Sequence, residues 1–267
     1  MEKYEYISSK RKITGDVAVV TGSAGIGLGV ALKLEADGFY VILCGNNLDH
    51  NETALLEFDS KKAEVIFLDV SDKVAVKKFS SNLANRTNSV RALVNCAAIQ
   101  PYGNIETTSP EEWDNTIKIN LSGYYLMSHY LYPLIKASKS ASIVNIASVQ
   151  GHCNQKNVLA YATSKGAIHA LTRAMAVDCA ADNVKVNSIS PGSIRTPLLE
   201  FAAKELMKPG ESIEEKIEEF GKAHALGRVG TVEEIASLVS FLVGNDSGFC
   251  TGGDIAIDGG LRAQLGV

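Results

Sequence analysis

The 267 residues carry 30 acids against 26 bases, for a formal charge of −4, with 46% hydrophobic and 21% charged residues. That composition is ordinary for a folded globular chain, and the acidic balance argues against a nucleic-acid partner, which needs a basic face. Five cysteines (Cys44, Cys96, Cys153, Cys179, Cys250) are widely spaced, odd in number and form no C-x-x-C pair. Neither a disulfide framework nor a metal site is expected.

The first residues, MEKYEYISSKRK, are charged and lack the apolar centre of a secretory signal. They read as an N-terminal extension over 1–12. No apolar run approaches the ~18 residues of a membrane span, so a cytoplasmic protein with no membrane contact is expected.

From residue 15 onward, short apolar runs alternate with segments of helical period. VAVVTG (17–22), FYVILC (39–44), AEVIFL (63–68), RALVNC (91–96), ASIVNI (141–146), VKVNSI (184–189) and DIAIDG (254–259) read as strands. Their unbroken Val/Ile/Leu character suits strands buried on both faces, as in a parallel sheet. Helices are expected near 26–37, 49–60, 72–87, 111–137, 159–180 and 231–244. Strand and helix in alternation predict an α/β fold, a doubly wound Rossmann-type domain with a seven-stranded parallel sheet and helices on both faces. No linker, repeat or low-complexity tract divides the chain, so 1–267 reads as a single domain. Residues 197–225 interrupt the alternation with a helical insertion, split by the turn signal Pro209-Gly210. Lying beyond a strand's carboxyl end, it reads as a substrate loop that covers a ligand.

The first strand runs directly into Thr21-Gly22-Ser23-Ala24-Gly25-Ile26-Gly27 and then a helix. Glycines at such a turn admit a pyrophosphate against the backbone, and the helix N-terminus favours its charge. Gly22, Ser23, Gly25, Ile26 and Gly27 are thus expected to bind a dinucleotide. The second strand ends in Cys44-Gly45-Asn46-Asn47, which offers neither the acid that bonds the ribose of NAD nor an Arg for the phosphate of NADP. Asn46 can bond ribose hydroxyls. With no local cation to hold a 2′-phosphate, NAD is favoured over NADP.

Further along, AYATSK places Tyr161 four residues before Lys165, on one face of a helix. The spacing alone also fits an ordinary surface pair. Other motifs accompany it in order: the glycine turn, Asp69-Val70, Asn95-Cys96-Ala97-Ala98, Asn120, Ser148 and Pro191-Gly192. That order resembles the short-chain dehydrogenase/reductase family over nearly all of residues 14–260.

The resemblance implies that Tyr161 is the general acid/base and that Lys165 favours the phenolate and bonds the nicotinamide ribose. Ser148 would bond the substrate oxygen, and Asn120 would hold a water completing a proton relay to Lys165. Asp69 and Val70 would contact adenine, and Asn95 and Ala97 would line the cofactor cleft. Pro191, Gly192, Ile194 and Thr196 would surround the nicotinamide. Two positions depart from the family pattern. The turn Gly22-x-x-Gly25-x-Gly27 is one residue shorter than Gly-x-x-x-Gly-x-Gly, and Ala98 stands where Asn-Asn-Ala-Gly has its glycine.

The stretches SVQGHCNQKNVLAYATSK and SIRTPLLEFAAKEL resemble the sugar and aldose dehydrogenase branch. Gln150, His152 and Gln155 follow Ser148, where polar side chains could bond several hydroxyls, and Gln150 and Gln155 are the expected substrate-binding residues beside Ser148 and Tyr161. His152 near a serine would suit hydrolysis, but no G-x-S-x-G elbow surrounds Ser148. One alternative is a 3-oxoacyl-thioester (acyl carrier protein) reductase. An alternative of another class is a non-catalytic NAD(P)-binding sensor or scaffold, motivated by the shortened turn. The resemblance also implies a homotetramer with a small-molecule substrate.

Overall fold

Side chains alternate along a strand, and in β1 (Val17–Thr21) both faces are apolar. Val17 and Val19 enter one core cluster, while Ala18 and Val20 enter a second on the other face of the sheet. The same division runs through β2 (Tyr40–Gly45), with Ile42 on one side and Val41 and Leu43 on the other. Such strands need cover on both sides. The chain supplies it by returning a helix after nearly every strand.

The computed structural model describes residues 12–58 and 62–265; all but the last residue of the expected extension over 1–12 lies outside the described residues. The remaining strands are β3 (Ala63–Phe67), β4 (Ala92–Asn95), β5 (Ala141–Ile146), β6 (Val184–Pro191) and β7 (Asp254–Ile257). They form one seven-stranded sheet in the order β3-β2-β1-β4-β5-β6-β7, with every pair parallel. Helices α1 (Gly25–Ala36), α2 (Leu48–Glu57) and α9 (Val232–Val243) take one face. Helices α3 (Lys73–Ala84), α5 (Gly123–Ile135) and α6 (Leu159–Cys179) take the other. Strand order reverses between β1 and β4, and the crevice outside the carboxyl ends there is where such sheets hold ligands.

The insertion is two helices, α7 (Pro197–Leu206) and α8 (Ile213–Lys222), and Gly210 takes φ +87° in the turn between them. Thr196 caps α7, and a capping box of Ser212 and Glu215 starts α8.

One expected helix is not continuous. The segment read as 111–137 is α4 (Pro110–Ile117), a π turn over Lys118–Ser122, and α5. The wide turn closes with Gly123 N–H donating to the Lys118 carbonyl. Its cause is a contact with a distant segment: the Asn120 side chain turns inward and takes both main-chain groups of Ile99, at 2.9 Å each. Gly123 fits beneath it because a Cβ there would meet Val70 Cγ2 at 2.8 Å.

Lys185 of β6 is buried, and its ammonium donates to Leu242 O and Gly244 O at 3.1 Å each and to Ser247 Oγ. The lysine therefore closes the carboxyl end of α9, whose last carbonyls have no partner within the helix. Lys185→Met keeps the stem and removes the donors. Chemical denaturation should show a loss of about 1–3 kcal/mol, and an unchanged midpoint would show that the cap adds nothing to stability.

Candidate active site

A cavity of about 760 Å³ opens at the carboxyl ends of the strands and runs from the end of β2 to the insertion. At its first end the glycine turn is tightly closed. Gly22 takes φ +92°, and its N–H donates to Cys44 O at 2.7 Å. A Cβ on Gly27 would lie 2.0 Å from Gly22 O, so α1 can pack this close to the strand only with glycine there. Thr21 Oγ1 accepts from Cys96 N and Ala97 N at 2.9 and 3.1 Å, locking the turn to the end of β4.

The N-cap of α1 is Ala24, which has no side chain to cap the helix, and the first turn holds no acid. The free N–H groups and the helix dipole face the cavity, an arrangement that favours a phosphate. The residues thus fit a dinucleotide even with the shorter turn. Gly22, Ser23, Gly25 and Ile26 line the cavity; Gly27 holds the turn from beneath.

The adenosine side is lined by Gly45, Asn46, Asn47, His50, Leu68 and Val70. Asn51 Nδ2 donates to Gly45 O at 2.9 Å, while its buried Oδ1 has no partner. Lys165 is the sole lysine or arginine in the cavity lining among the described residues. Asp69 and Asn95 do not line it. Asp69 accepts from Ser71 N at 2.9 Å. Asn95 is fully buried and donates to Asn145 Oδ1 at 2.9 Å and Ser128 Oγ at 3.2 Å. Asn145 continues this polar chain to Thr172 Oγ1 at 2.9 Å, tying β4 and β5 to α6. Asn95 therefore shapes the strand end from within, while Ala97 lines the cleft.

Ser148, Tyr161 and Lys165 meet midway along the cavity. Ser148 follows β5 in extended conformation; its Oγ accepts from Gln150 N at 3.1 Å and is hydrogen-bonded to Tyr161. One turn along α6, Lys165 donates to Ile146 O at 2.7 Å. Its ammonium sits 5.5 Å from the Tyr161 ring centre and 5.6 Å from that of Tyr124.

Burial controls the electrostatics of this group. It pushes the Tyr161 phenol up to about 12, against a downward pull from the Ser148 hydrogen bond. It also pushes the Lys165 ammonium down to about 8. The expectation that Lys165 makes the phenol acidic thus meets a larger opposing effect in this cavity: removal from water.

Asn120 lies behind this group and outside the lining. Its Nδ2 donates to Ile99 O and to Ser164 Oγ at 3.1 Å, and its Oδ1 accepts from Ile99 N–H, which leaves one acceptor lone pair. Pro191, Gly192, Ile194 and Thr196 line the far wall beside the insertion.

Gln150 and Gln155 also line the cavity, together with residues the sequence reading did not single out: Gln100, Tyr102 and Phe201. Tyr102 OH accepts from Gln100 Nε2 at 3.1 Å and hydrogen-bonds Gln155. Phe201 of α7 leans on the Tyr102 ring at 6.3 Å. Gln150 Oε1 is buried with no partner. The signal for Gln100 and Tyr102 was positional, since they follow directly on Asn95-Cys96-Ala97-Ala98 at the switch point.

His152 turns away from the cavity. It bonds Asp254 Oδ2 at 2.7 Å and stacks on His169, ring centres 4.1 Å apart and 22° from parallel. His152, His169 and Asp254 carry ligand-type atoms within 4.8 Å of one another. Near-parallel rings, however, aim their lone pairs side by side and not at one point. Asp254 is already bonded to Ser188 and Ser190. No helix among the described residues is long and apolar enough to cross a membrane.

Comparison with known proteins accords with this geometry. Residues 20–262 match the family model described as enoyl-(acyl carrier protein) reductase. The solved structure of Thermoplasma acidophilum aldohexose dehydrogenase, in ligand-free form, superposes with a TM-score of 0.86 at 36% identity, covering 97% of this chain and 98% of that one. L-Fucose dehydrogenase of Oryctolagus cuniculus is 33% identical over 97% of this chain and 89% of its own. The 3-oxoacyl-[acyl-carrier-protein] reductase of Thermotoga maritima is 30% identical over 94% and 99%. With a nucleotide cradle at the switch point and these relatives matched along nearly its whole length, the chain belongs to the short-chain dehydrogenase/reductase family of NAD(P)-dependent oxidoreductases.

Proposed function

We propose that the protein interconverts a hemiacetal or secondary alcohol of a sugar or polyol with its carbonyl, using NAD in preference to NADP. The observation that carries the substrate class is Gln150 Oε1, a buried acceptor without a donor in a cavity wall that also holds Gln100, Tyr102 and Gln155. A buried acceptor left unpaired costs about 1–3 kcal/mol, and a substrate hydroxyl would supply the missing donor once the Gln150 amide turns toward the cavity. Walls built to pair hydroxyls discriminate strongly against analogues that lack them. The aldohexose and L-fucose dehydrogenases among its relatives support the same reading. A 3-oxoacyl thioester reductase, which the Thermotoga relative favours, remains the second reading.

The residues divide the work as follows. Gly22, Ser23, Gly25 and Ile26 would hold the pyrophosphate at the start of α1, and Asn46 the adenosine ribose. Pro191, Gly192, Ile194 and Thr196 would surround the nicotinamide, which takes or gives the hydride at the carbinol carbon as the chemistry this cofactor supplies. Ser148 Oγ would bond the substrate oxygen and steady its charge. Tyr161 would remove the hydroxyl proton in oxidation and return it in reduction. Lys165, held by Ile146 O, would stabilise the phenolate form that takes the proton in oxidation and is left behind in reduction. Asn120 keeps the π turn and the loop at Ile99 in register behind them. A cytoplasmic homotetramer is the proposed state of the protein.

Two measurements test this. Titration with NADH and with NADPH, followed by nicotinamide fluorescence, should give at least about tenfold tighter binding for NADH, because among the described residues no lysine or arginine lines the cavity beside Asn46 to hold a 2′-phosphate. Tighter NADPH binding would overturn the cofactor assignment. Assayed with NAD for a panel of aldohexoses and polyols, and with NADH for 3-oxoacyl thioesters, the protein should reduce NAD with a sugar. Tyr161→Phe should lower that rate about 10²–10⁴-fold while NADH binding stays within about threefold. Turnover of the thioesters alone would favour the second reading, and an active Tyr161→Phe variant would remove the tyrosine from its role.

A further inference from the structure

We propose that His224 is a positioning residue: it fixes the main chain of Gly192–Ile194 against the nicotinamide half of the cofactor and links that loop to the helical insertion. The inference rests on the reading that places the nicotinamide against Pro191–Thr196. His224 lies just past the end of α8 and is only 3% exposed. It is not among the residues a proton relay through Tyr161 would use, and no surface position explains it.

Both ring nitrogens are bound by main chain. Ser193 N–H donates to Nε2 at 3.0 Å, and Nδ1 lies 2.9 Å from Phe220 O. A main-chain N–H can only donate, so Nε2 is the acceptor and the ring proton sits on Nδ1, where it bonds the Phe220 carbonyl. The ring is therefore a two-ended clamp, one end on the last turn of α8 and the other on the loop after β6.

The glycines around it show how closely the clamp is fitted. A Cβ on Gly192 would fall 2.6 Å from His224 Nε2 and 3.0 Å from Asp258 Cα. One on Gly259, which takes φ +55°, would lie 3.4 Å from His224 Cβ. The ends of β6 and β7 thus close on the two sides of one imidazole. Other ties hold the loop to the rest of the fold, through Gly192 N to Ile257 O at 3.1 Å and Gly230 N to Ser193 O at 2.9 Å. His224 supplies the tie to the last turn of α8, as the Arg195–Glu214 pair does to its first. Because His224, Ala223 and Phe220 line the cavity alongside Pro191, Gly192 and Ser193, the clamp sets where the insertion stands relative to the cofactor wall.

Gln and Asn separate the two ends of the clamp. Glutamine carries an acceptor oxygen where Nε2 lies, and asparagine carries a donor nitrogen where Nδ1 lies. Dissociation constants for NADH and for ADP, which lacks the nicotinamide half, would be measured for wild type, His224→Gln and His224→Asn, each first shown to be folded by its thermal transition. The expected result is that His224→Gln binds NADH within about threefold of wild type and His224→Asn about tenfold more weakly, with ADP binding equal in all three. In addition, ¹⁵N-histidine spectra of the free wild-type protein should show His224 with its proton on Nδ1. An Nε2–H form, or NADH binding unchanged in both variants, would overturn the clamp. An equal loss of ADP affinity would do so as well, by showing a general distortion. If wild type bound NADH no more tightly than ADP, the nicotinamide placement itself would fail, and the His224 spectrum would still report on the ring geometry alone.

Discussion

The site depends on removing a phenol and an ammonium from water one helical turn apart. Lys165 is 2% exposed, with a single main-chain carbonyl, Ile146 O, and two aromatic rings for its charge. Such a group is tolerated only where the surrounding structure over-determines it. β5 supplies the carbonyl, α5 supplies Tyr124, and α6 carries both Tyr161 and Lys165 in one register. The polar chain Asn95–Asn145–Thr172 fixes α6 to the two central strands one layer below. The tyrosine is therefore aimed by the sheet, and the price of that aim is a phenol that holds its proton more firmly than a free one.

The same economy of space governs the cofactor end. Gly27 lets α1 begin almost in contact with the end of β1, and Ala24 leaves the first N–H groups of the helix uncapped. A turn one residue shorter than the family pattern still presents those groups to the cavity, because Thr21 and Gly22 anchor it to β4 and β2. What this end offers an anion is main chain and dipole, with the side chains of Asn46 and Asn47 lining the cavity beyond. At the other end the insertion is seated by Thr196, by the Arg195–Glu214 pair and by His224, so the wall at Pro191–Thr196 and Phe201 over Tyr102 belong to one packed unit.

Much of this was legible in the sequence because it follows from local pattern. Continuous apolar runs gave the seven strands to within about two residues of their ends. The glycine turn located one end of the cavity and the Tyr161–Lys165 spacing its middle. What could not be read depended on contacts between distant segments. The π turn at Lys118–Ser122 exists because Asn120 reaches Ile99 across the site, which no helical period records. Asn95 and Asp69 sit in motifs near the cofactor, yet their side chains bond Asn145 and Ser71. His152 stands four residues from Ser148 and still points to Asp254. His224, in an unremarkable run between two helices, gains its partners only when β6 and α8 come together.

The central claim is that burial keeps the Tyr161 proton in place until bound cofactor and substrate change its surroundings. Phenolate absorbance, taken as the difference between wild type and Tyr161→Phe across a pH titration, tests it most directly. In the free protein the phenol is raised toward about 12, so the difference signal should stay flat through neutral pH and rise only above about pH 11. With NAD bound, whose nicotinamide ring is cationic, the rise should move to lower pH, as a nearby positive charge favours the phenolate. A phenolate signal already present near pH 7 in the free protein would contradict the account, and would return Lys165 to the role of tuning the tyrosine unaided.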